Sequence, residues 1–471
     1  MEHAATQNQS PVFFRSPALS AGRFAMPEFY HMTRTDFLTI SRMFYLQRCG
    51  AVSAAHAGRF AHQACHTASA RVFGTDSLLR VSGGWHDAGD YGRYVVPACK
   101  TVADLLLALR AAPEAFGDDW GIPESGNGVA DVLDEVRFAL NWLFLMQRRD
   151  GGVYHKVTCA YFPDMVLPED ETDELIVFPV STAATGDFAA VMAMACTAFE
   201  PIDRAFARRC LHAAERAYGF LKSSGPIPFH NPPGVVTGEY ADETDEDERY
   251  FAACALYEAT GGADYLADAA SLYREGRSAD FGWADVGGYG NALLFFGERV
   301  CSDETLAGRI RADLLSTANT LARRSEKDPY GVSLSTFAWG SNMYLLHNAM
   351  ALLLAYDAQE SERYLLAAKS HLNYIFGGNA LGMSFVTGVG PSSPKHPHHR
   401  PSVALGEAMP GMLVGGPNQY LQDIMARALL SGKPAAECYM DVSESYSTNE
   451  VATYWNSPLV YVSARLCFSR L

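Results

Sequence analysis

Residues 129–147 read VADVLDEVRFALNWLFLMQ. Apolar side chains recur at Val129, Val132, Leu133, Val136, Leu140 and Leu143. A spacing of three and four is the period of one helical face, not of a strand. The same spacing returns in TVADLLLALRAA, DFAAVMAMACTAF, AFARRCLHAAERAYGFL, YFAACALYEA, TLAGRIRADLLSTANTLARR, MYLLHNAMALLLAY and YLLAAKSHLNYIF. Stop signals follow, with ATGG after the segment carrying Tyr257 and FGGN after the one ending near Phe376. Runs rich in β-branched residues are few and unevenly spaced, which argues against a sandwich or a parallel sheet. The expected fold is all-α, about a dozen helices joined by loops of unequal length.

The chain has 471 residues, 48% hydrophobic and 19% charged, enough apolar material for one large core. A net charge of −16 and a pI near 5.3 argue against nucleic acid and against an anionic membrane surface as partners. No uninterrupted apolar run reaches the roughly 18 residues of a membrane span. The opening MEHAATQNQSPVFF lacks a basic stretch followed by an apolar one, so no signal peptide is read there. Either the protein is intracellular or the chain begins after processing. Ten cysteines show no disulfide-framework spacing, and Cys196, Cys210 and Cys254 sit in helical runs as small hydrophobes.

The long connections, 74–97, 151–184, 224–246 and 378–416, hold most of the Gly, Pro, His and Asp. Loops of such length in a compact domain are functional or disordered, and their aromatics and histidines favour function. No low-complexity linker divides the chain. Residues 31–471 are therefore read as one domain and residues 1–30 as a lead-in.

One loop reads GGWHDAGDYGRY over residues 83–94. It sets Asp87 and Asp90 three residues apart on a glycine-rich backbone between aromatic rings, a shape suited to acid–base chemistry, to a metal loop or to a plain turn. A second constellation runs from Tyr439-Met440-Asp441 through Tyr446 and Asn449-Glu450 to Tyr454-Trp455-Asn456-Ser457. A third loop, SFVTGVGPSSPKHPHHRPS, carries Ser384, His398, His399 and Arg400. Taken singly, these read as a solvated turn, a helix cap and a surface loop. Together they supply what glycoside hydrolysis needs: a protonated carboxyl, an opposing carboxylate, aromatic faces for sugar rings, and His and Arg for hydroxyls.

The chain resembles the catalytic domain of glycoside hydrolase family 9, inverting cellulases built as an (α/α)6 barrel. The motifs are GGWHDAGDYGRYV, IPESGNGVADVLDE, DGGVYHKV, STAATGDFAAVMA, AWGSN, PHHRPS, GGPN and the span from Tyr439 to Ser457. A departure stands at Ser392, where the family usually has Asn or a basic residue. The resemblance implies Asp90 as general base, Asp87 as its assistant in holding the water, and Glu450 as general acid. It also implies His155, His398 and Arg400 as sugar-binding residues, with Tyr446 and Trp455 as aromatics beside the acid. Trp339 is expected as a stacking platform or a core residue at a helix start, and Tyr240 as a weaker substrate contact.

Cys49, Cys65, His66 and His86 lack finger-like spacing and read by themselves as buried structural residues. The resemblance implies instead a structural zinc on these four, bracing the catalytic loop. The acidic run 243–248 reads as a solvated helix start. The resemblance implies a calcium site there, formed by Glu243 and Thr244 through their carbonyls, with Asp247, Glu248 and Asp285. The implied activity is an endo-β-1,4-glucanase acting on cellulose, mixed-linkage glucan or cello-oligosaccharides. The alternatives are an exo-acting cellobiohydrolase or glucosaminidase of the same fold, or a non-catalytic carbohydrate-binding protein. A monomer with a β-glucan as partner is expected, and export follows from the family alone.

Overall fold

The structure, a computed structural model, describes residues 29–390 and 392–469. The lead-in read at residues 1–30 lies, apart from Phe29 and Tyr30, outside the described residues. Among the described residues, twelve helices have eight residues or more. They are α1 (Arg34–Ser41), α2 (Val95–Ala111), α3 (Asp131–Met146), α4 (Thr182–Phe199), α5 (Arg204–Ser223) and α6 (Glu246–Thr260), then α7 (Ala263–Leu272), α8 (Gly287–Phe296), α9 (Glu304–Ser325), α10 (Ser341–Ala358), α11 (Glu362–Ile375) and α12 (Thr453–Cys467).

Two rings account for the architecture. Helices α2, α4, α6, α8, α10 and α12 are buried almost all round, and α12 packs on both α2 and α10 to close the inner ring. The other six lie outside, α5 against α4, α7 against α6 and α11 against α10. This is the expected (α/α)6 barrel. The sequence reflects the two roles: α5 keeps a polar outer face, whereas α4 carries only one charged residue, Asp187. An apolar surface on every side is what an inner helix needs. By length and composition alone α4 is long and apolar enough to cross a membrane, although Asp187 interrupts it, and 83% of it is buried inside the protein.

Local chemistry fixes the helix ends. Ser181, Asp203 and Asp303 accept from the backbone N–H groups of Ala184, Phe206 and Leu306, capping α4, α5 and α9. Gly261 ends α6 in the left-handed conformation, at the predicted ATGG stop.

The all-α expectation needs one addition. Short strands β1 (Ala70–Val72), β2 (Leu78–Leu79), β3 (Arg93–Tyr94), β4 (Val153–Tyr154), β5 (Lys156–Thr158), β6 (Ile176–Val177) and β7 (Val180–Ser181) form two small sheets. The larger has the order β2-β1-β6-β5-β3, and β4 pairs with β7. Strands of two or three residues are too short to show a period of two. They still matter for the site. Arg93 pairs with Val157 and Tyr94 with Lys156, so the end of the Asp87–Asp90 loop is hydrogen-bonded to the 151–184 connection.

Candidate active site and metal centres

The GGWHDAGDYGRY loop owes its glycines to close approach. Gly84 has φ +79°, and a Cβ there would strike the ring of Trp142 at 2.7 Å. A Cβ on Gly89 would collide with the carbonyl oxygen of His398. The second contact brings the third loop of the sequence against the first. Arg400 completes it, its Nη1 donating to the Gly89 carbonyl at 2.8 Å and its Nε to the Pro163 carbonyl at 2.9 Å.

Asp90 is buried, and its Oδ2 accepts from the Gly92 N–H and the Tyr94 hydroxyl, both at 3.0 Å. Burial raises its pKa, while Arg400, the Gly92 N–H and Tyr94 pull it back down. Asp87 is also buried. Tyr240 donates a short hydrogen bond to its Oδ2 from a backbone with φ +48°, and the Tyr454 hydroxyl lies 3.3 Å from that of Tyr240. Burial and then the charge of Asp90 raise Asp87 well above the carboxylate range.

Glu450 approaches from the far end of the chain. It bridges in parallel to His398, its N–H bonds the Tyr446 carbonyl at 3.2 Å and its carbonyl accepts from Gly415 at 2.9 Å. Burial and then Asp90 push its carboxyl up to about 8, with Arg400 opposing. Asp90 and Glu450 line one cleft of about 350 Å³. Tyr240, Trp339 and Trp455 line it with them, as do Tyr94, Phe162, Trp283, Tyr344 and Tyr454.

Behind the loop, Cys49, Cys65, His66 and His86 are buried, with one ligand atom from each lying within 4.8 Å of all the others. The Sγ atoms are 4.0 Å apart, Cys49 Sγ is 3.7 Å from His66 Nδ1, and Cys65 Sγ is 3.5 Å from His86 Nε2. A tetrahedral ion with bonds of roughly 2.0–2.3 Å needs ligand spacings of roughly 3.3–3.8 Å, so the four donors fit a metal of that kind. The second nitrogen of His66 faces Glu171 at 2.7 Å, the outer partner a metal-bound imidazole usually has. The cluster is tied to the catalytic loop through Cys49 N–H on the Gly84 carbonyl and His86 N–H on the Gln47 carbonyl, both 2.8 Å.

A third group lies where α4 meets the start of α6. Asp187 and Glu248 are buried, and neither carboxylate has a hydrogen-bond partner on either oxygen. Asp247 and Asp242 raise both of them, after burial. Asp247 itself is spoken for, accepting from Val286 N–H at 2.9 Å and pairing with Arg277 at 3.1 Å. Buried carboxylates without donors are costly unless protonated or held by a cation, so Asp187 and Glu248 are the two members of this group that a cation would relieve. Among the five residues expected there, Glu248 and Asp247 belong to it. The Glu243 side chain instead turns to His230, 3.4 Å away, and Asp285 is exposed. Thr244 donates from its N–H to Asp242 at 3.0 Å. Asp187, absent from that expectation, joins the group.

The sequence model described as Glycosyl hydrolase family 9 matches residues 37–463. The chain belongs to glycosyl hydrolase family 9. A cellodextrinase of Butyrivibrio fibrisolvens is 37% identical over 449 residues, covering 90% of this chain and 81% of its own. The solved structure of AaCel9A in complex with cellobiose-like isofagomine superposes with a TM-score of 0.87 at 43% identity, over 92% of this chain and 84% of that one. A Zn-binding triple mutant of the family 9 endoglucanase J30 superposes with a TM-score of 0.86 at 33% identity, over 93% of this chain and 85% of that one.

Within this family 9 hydrolase, several expected sugar contacts stand elsewhere. His155 is a wall residue. Its Nε2–H donates to the Glu239 carbonyl at 2.9 Å, its Nδ1 faces Ser181 Oγ at 2.8 Å, and its ring stacks on Phe229. Both nitrogens are therefore used inside the protein, which corrects its reading as a sugar contact. Arg400 likewise gives its donors to backbone carbonyls and sets the charge near Asp90 and Glu450 from behind. His398 bonds the Ser443 carbonyl through Nδ1 at 2.6 Å and packs against Tyr446, whose exposed ring stands 5.4 Å from Trp339 beside the cleft. Sequence reading missed Phe162, Trp283 and Tyr344, while Tyr454 was quoted in the second constellation without a role. Their signal was present, since Trp283 and Phe162 sit in segments with no helical period to give an aromatic a core position.

Proposed function

We propose that this hydrolase is an inverting endo-β-1,4-glucanase acting on cello-oligosaccharides and accessible β-glucan chains. One observation carries the reading: two buried carboxyl groups, Asp90 and Glu450, face one aromatic-lined cleft with different hydrogen-bond donors around them. Glu450, with its carboxyl pushed up to about 8, keeps its proton and can give it to the glycosidic oxygen. Asp90 is raised by burial but opposed by Arg400, the Gly92 N–H and the Tyr94 hydroxyl, which favour its anion and suit it to the role of base. Asp90 takes a proton from water as the water oxygen bonds to the anomeric carbon. The carbon–oxygen bond to the leaving sugar breaks as that oxygen receives the Glu450 proton. Attack from the face opposite the leaving group inverts the anomeric centre. Asp87, fixed by Tyr240 and raised well above the carboxylate range by its burial, stands beside the base and orients the attacking water. Trp339, Trp455, Tyr240, Trp283 and Tyr344 offer faces on which glucose rings stack. The cellodextrinase relative and the cellobiose-like ligand of AaCel9A support a glucan substrate.

Cys49, Cys65, His66 and His86 would hold zinc, which supplies a cross-link behind the catalytic loop. Asp187, Asp247 and Glu248 would hold calcium, which neutralises carboxylates between α4 and α6. The zinc reading is supported by the Zn-binding variant of J30.

Proton NMR of a cellotetraose digest tests the activity directly. An α-anomer at the new reducing end is expected, and a β-anomer overturns inversion. On a longer chain such as cellohexaose, early products spread over several lengths mark internal cleavage, whereas cellobiose and its complement alone move the protein to an exo-acting enzyme.

A further inference from the structure

Lys156, in the DGGVYHKV stretch, has no part in the mechanism above, yet it is fully buried. Its ammonium donates to Asn231 Oδ1 at 2.7 Å, to the Gly238 carbonyl at 2.7 Å and to Thr237 Oγ1 at 3.1 Å, with the Thr237 carbonyl at 3.3 Å. Three donors meet four oxygens, all from the segment 231–238. The rings of Phe178, Phe229 and Tyr94 surround the charge at 4.7, 5.5 and 5.6 Å. Among the described residues, no carboxylate pairs with it within 4 Å. A buried ammonium is costly without an ion-pair partner, and here its return is in position rather than in charge neutralisation.

The clamped segment leads straight to both aspartates. Gly238 N–H donates to the Tyr94 hydroxyl at 3.0 Å, and that hydroxyl donates to Asp90. Two residues on, Tyr240 donates to Asp87 from its left-handed backbone, a conformation that persists only where its surroundings impose it. His155, next to Lys156, holds the intervening Glu239 carbonyl. We propose that Lys156 is a positioning residue for the general base, its ammonium clamping the 231–240 segment so that Tyr94 and Tyr240 hold Asp90 and Asp87. The inference rests on the assignment of Asp90 as base.

The charged and titratable groups around the ammonium are Asp90 on the catalytic loop, Glu239 on the clamped segment, His155 beside it and Tyr94 on β3. Burial brings the lysine down to about 7, with Asp90 and Glu239 opposing, and burial keeps His155 neutral. Removing the charge therefore takes a cation away from Asp90 and makes its ionisation harder.

The test compares Lys156→Met, Lys156→Arg, Asn231→Ala and Asp90→Asn for kcat and KM on cellotetraose across pH. For Lys156→Met, kcat should fall on the order of 10–100-fold with a smaller change in KM, since misplacing a reacting group costs that much. Its acid limb should move to higher pH, and Lys156→Arg should restore the limb and part of kcat. A structural role alone would lower the melting temperature without moving the limb. Lys156→Met with kcat within twofold of the parent and an unmoved limb overturns the proposal. Should that variant fail to fold, Asn231→Ala keeps the charge and loosens the clamp. It should lose several-fold in kcat with the limb in place, and an unchanged kcat overturns the proposal equally. An active Asp90→Asn variant would instead overturn the base assignment beneath it.

Discussion

The two carboxyl groups of the cleft differ in what surrounds them more than in what they are. Asp90 sits on a loop shaped by glycines and receives a backbone N–H and a tyrosine hydroxyl on the same oxygen. Glu450 sits at the end of a single helical turn, positioned through its backbone by Tyr446 and Gly415, and no side chain donates to its carboxylate among the described residues. Both are raised by burial and both are opposed by Arg400 and a backbone N–H, but only the aspartate also receives a side-chain hydroxyl, that of Tyr94. The difference in role follows from the donor set: the base is the group that has the Tyr94 hydroxyl as well as a backbone N–H.

That contrast breaks most visibly when either group is removed. Glu450→Gln and Asp90→Asn should each lower kcat on cellotetraose by about 10²–10⁴-fold, the range general acid–base catalysis supplies. Steady-state assays then separate the two. On an aryl cellobioside whose leaving group departs without a proton, Glu450→Gln should recover most of its activity and Asp90→Asn none. Equal loss on both substrates would erase the distinction between acid and base.

The candidate metal centre of Cys49, Cys65, His66 and His86 sharpens the comparison from the opposite direction, because it is tied to the loop that carries the base. Zinc behind the 83–94 loop would hold Asp90 in place, while Glu450 is anchored by its own backbone. Stripping the metals with a chelator should lower the melting temperature by several degrees and reduce kcat, and adding back zinc should restore both. Cys65→Ser should mimic the zinc-free state. An unchanged melting temperature after elemental analysis has verified metal loss removes the structural role.

A smaller effect is expected at Tyr94. Tyr94→Phe deletes one of the two donors to Asp90, so the acid limb of kcat/KM should move up by up to about one pH unit. The alkaline limb, set by Glu450 near pH 8, should stay. Movement of both limbs together would mean that the two groups titrate as one coupled pair.

Much of this arrangement could be read from residue order. Eight of the twelve long helices, inner and outer alike, announced themselves by period, and the acids by their company of glycine and aromatics. What stayed hidden shares a physical cause, since it depends on contacts between segments far apart in the chain. His155 looked available because nothing in DGGVYHKV shows that the Glu239 carbonyl and Ser181 take its nitrogens. Asp187 looked like one polar residue on an apolar helix, until α4 met α6 and left it beside Glu248 without a donor. Helix α12 hid for another reason: its start, Tyr454-Trp455-Asn456, reads as part of the site, and a proline at 458 interrupts the pattern.

The smallest expected effect concerns stability. Glu450 binds its proton more tightly in the folded protein, at about 8, than in the unfolded chain, where the ordinary value is 4.5. Between those values the folded state holds more protons than the unfolded state, so this group makes stability fall as pH rises. Asp90 acts in the same direction, but more weakly, because its donors offset its burial. Glu450→Gln carries no such dependence. Its melting temperature should therefore gain on the parent as pH is raised from about 5 to about 8, with the gap closing again at the acid end. Asp90→Asn should show a shallower version of the same trend. If Asp90→Asn gained more than Glu450→Gln over that range, the aspartate would be the more strongly protonated group, and the assignment of acid and base would have to be exchanged.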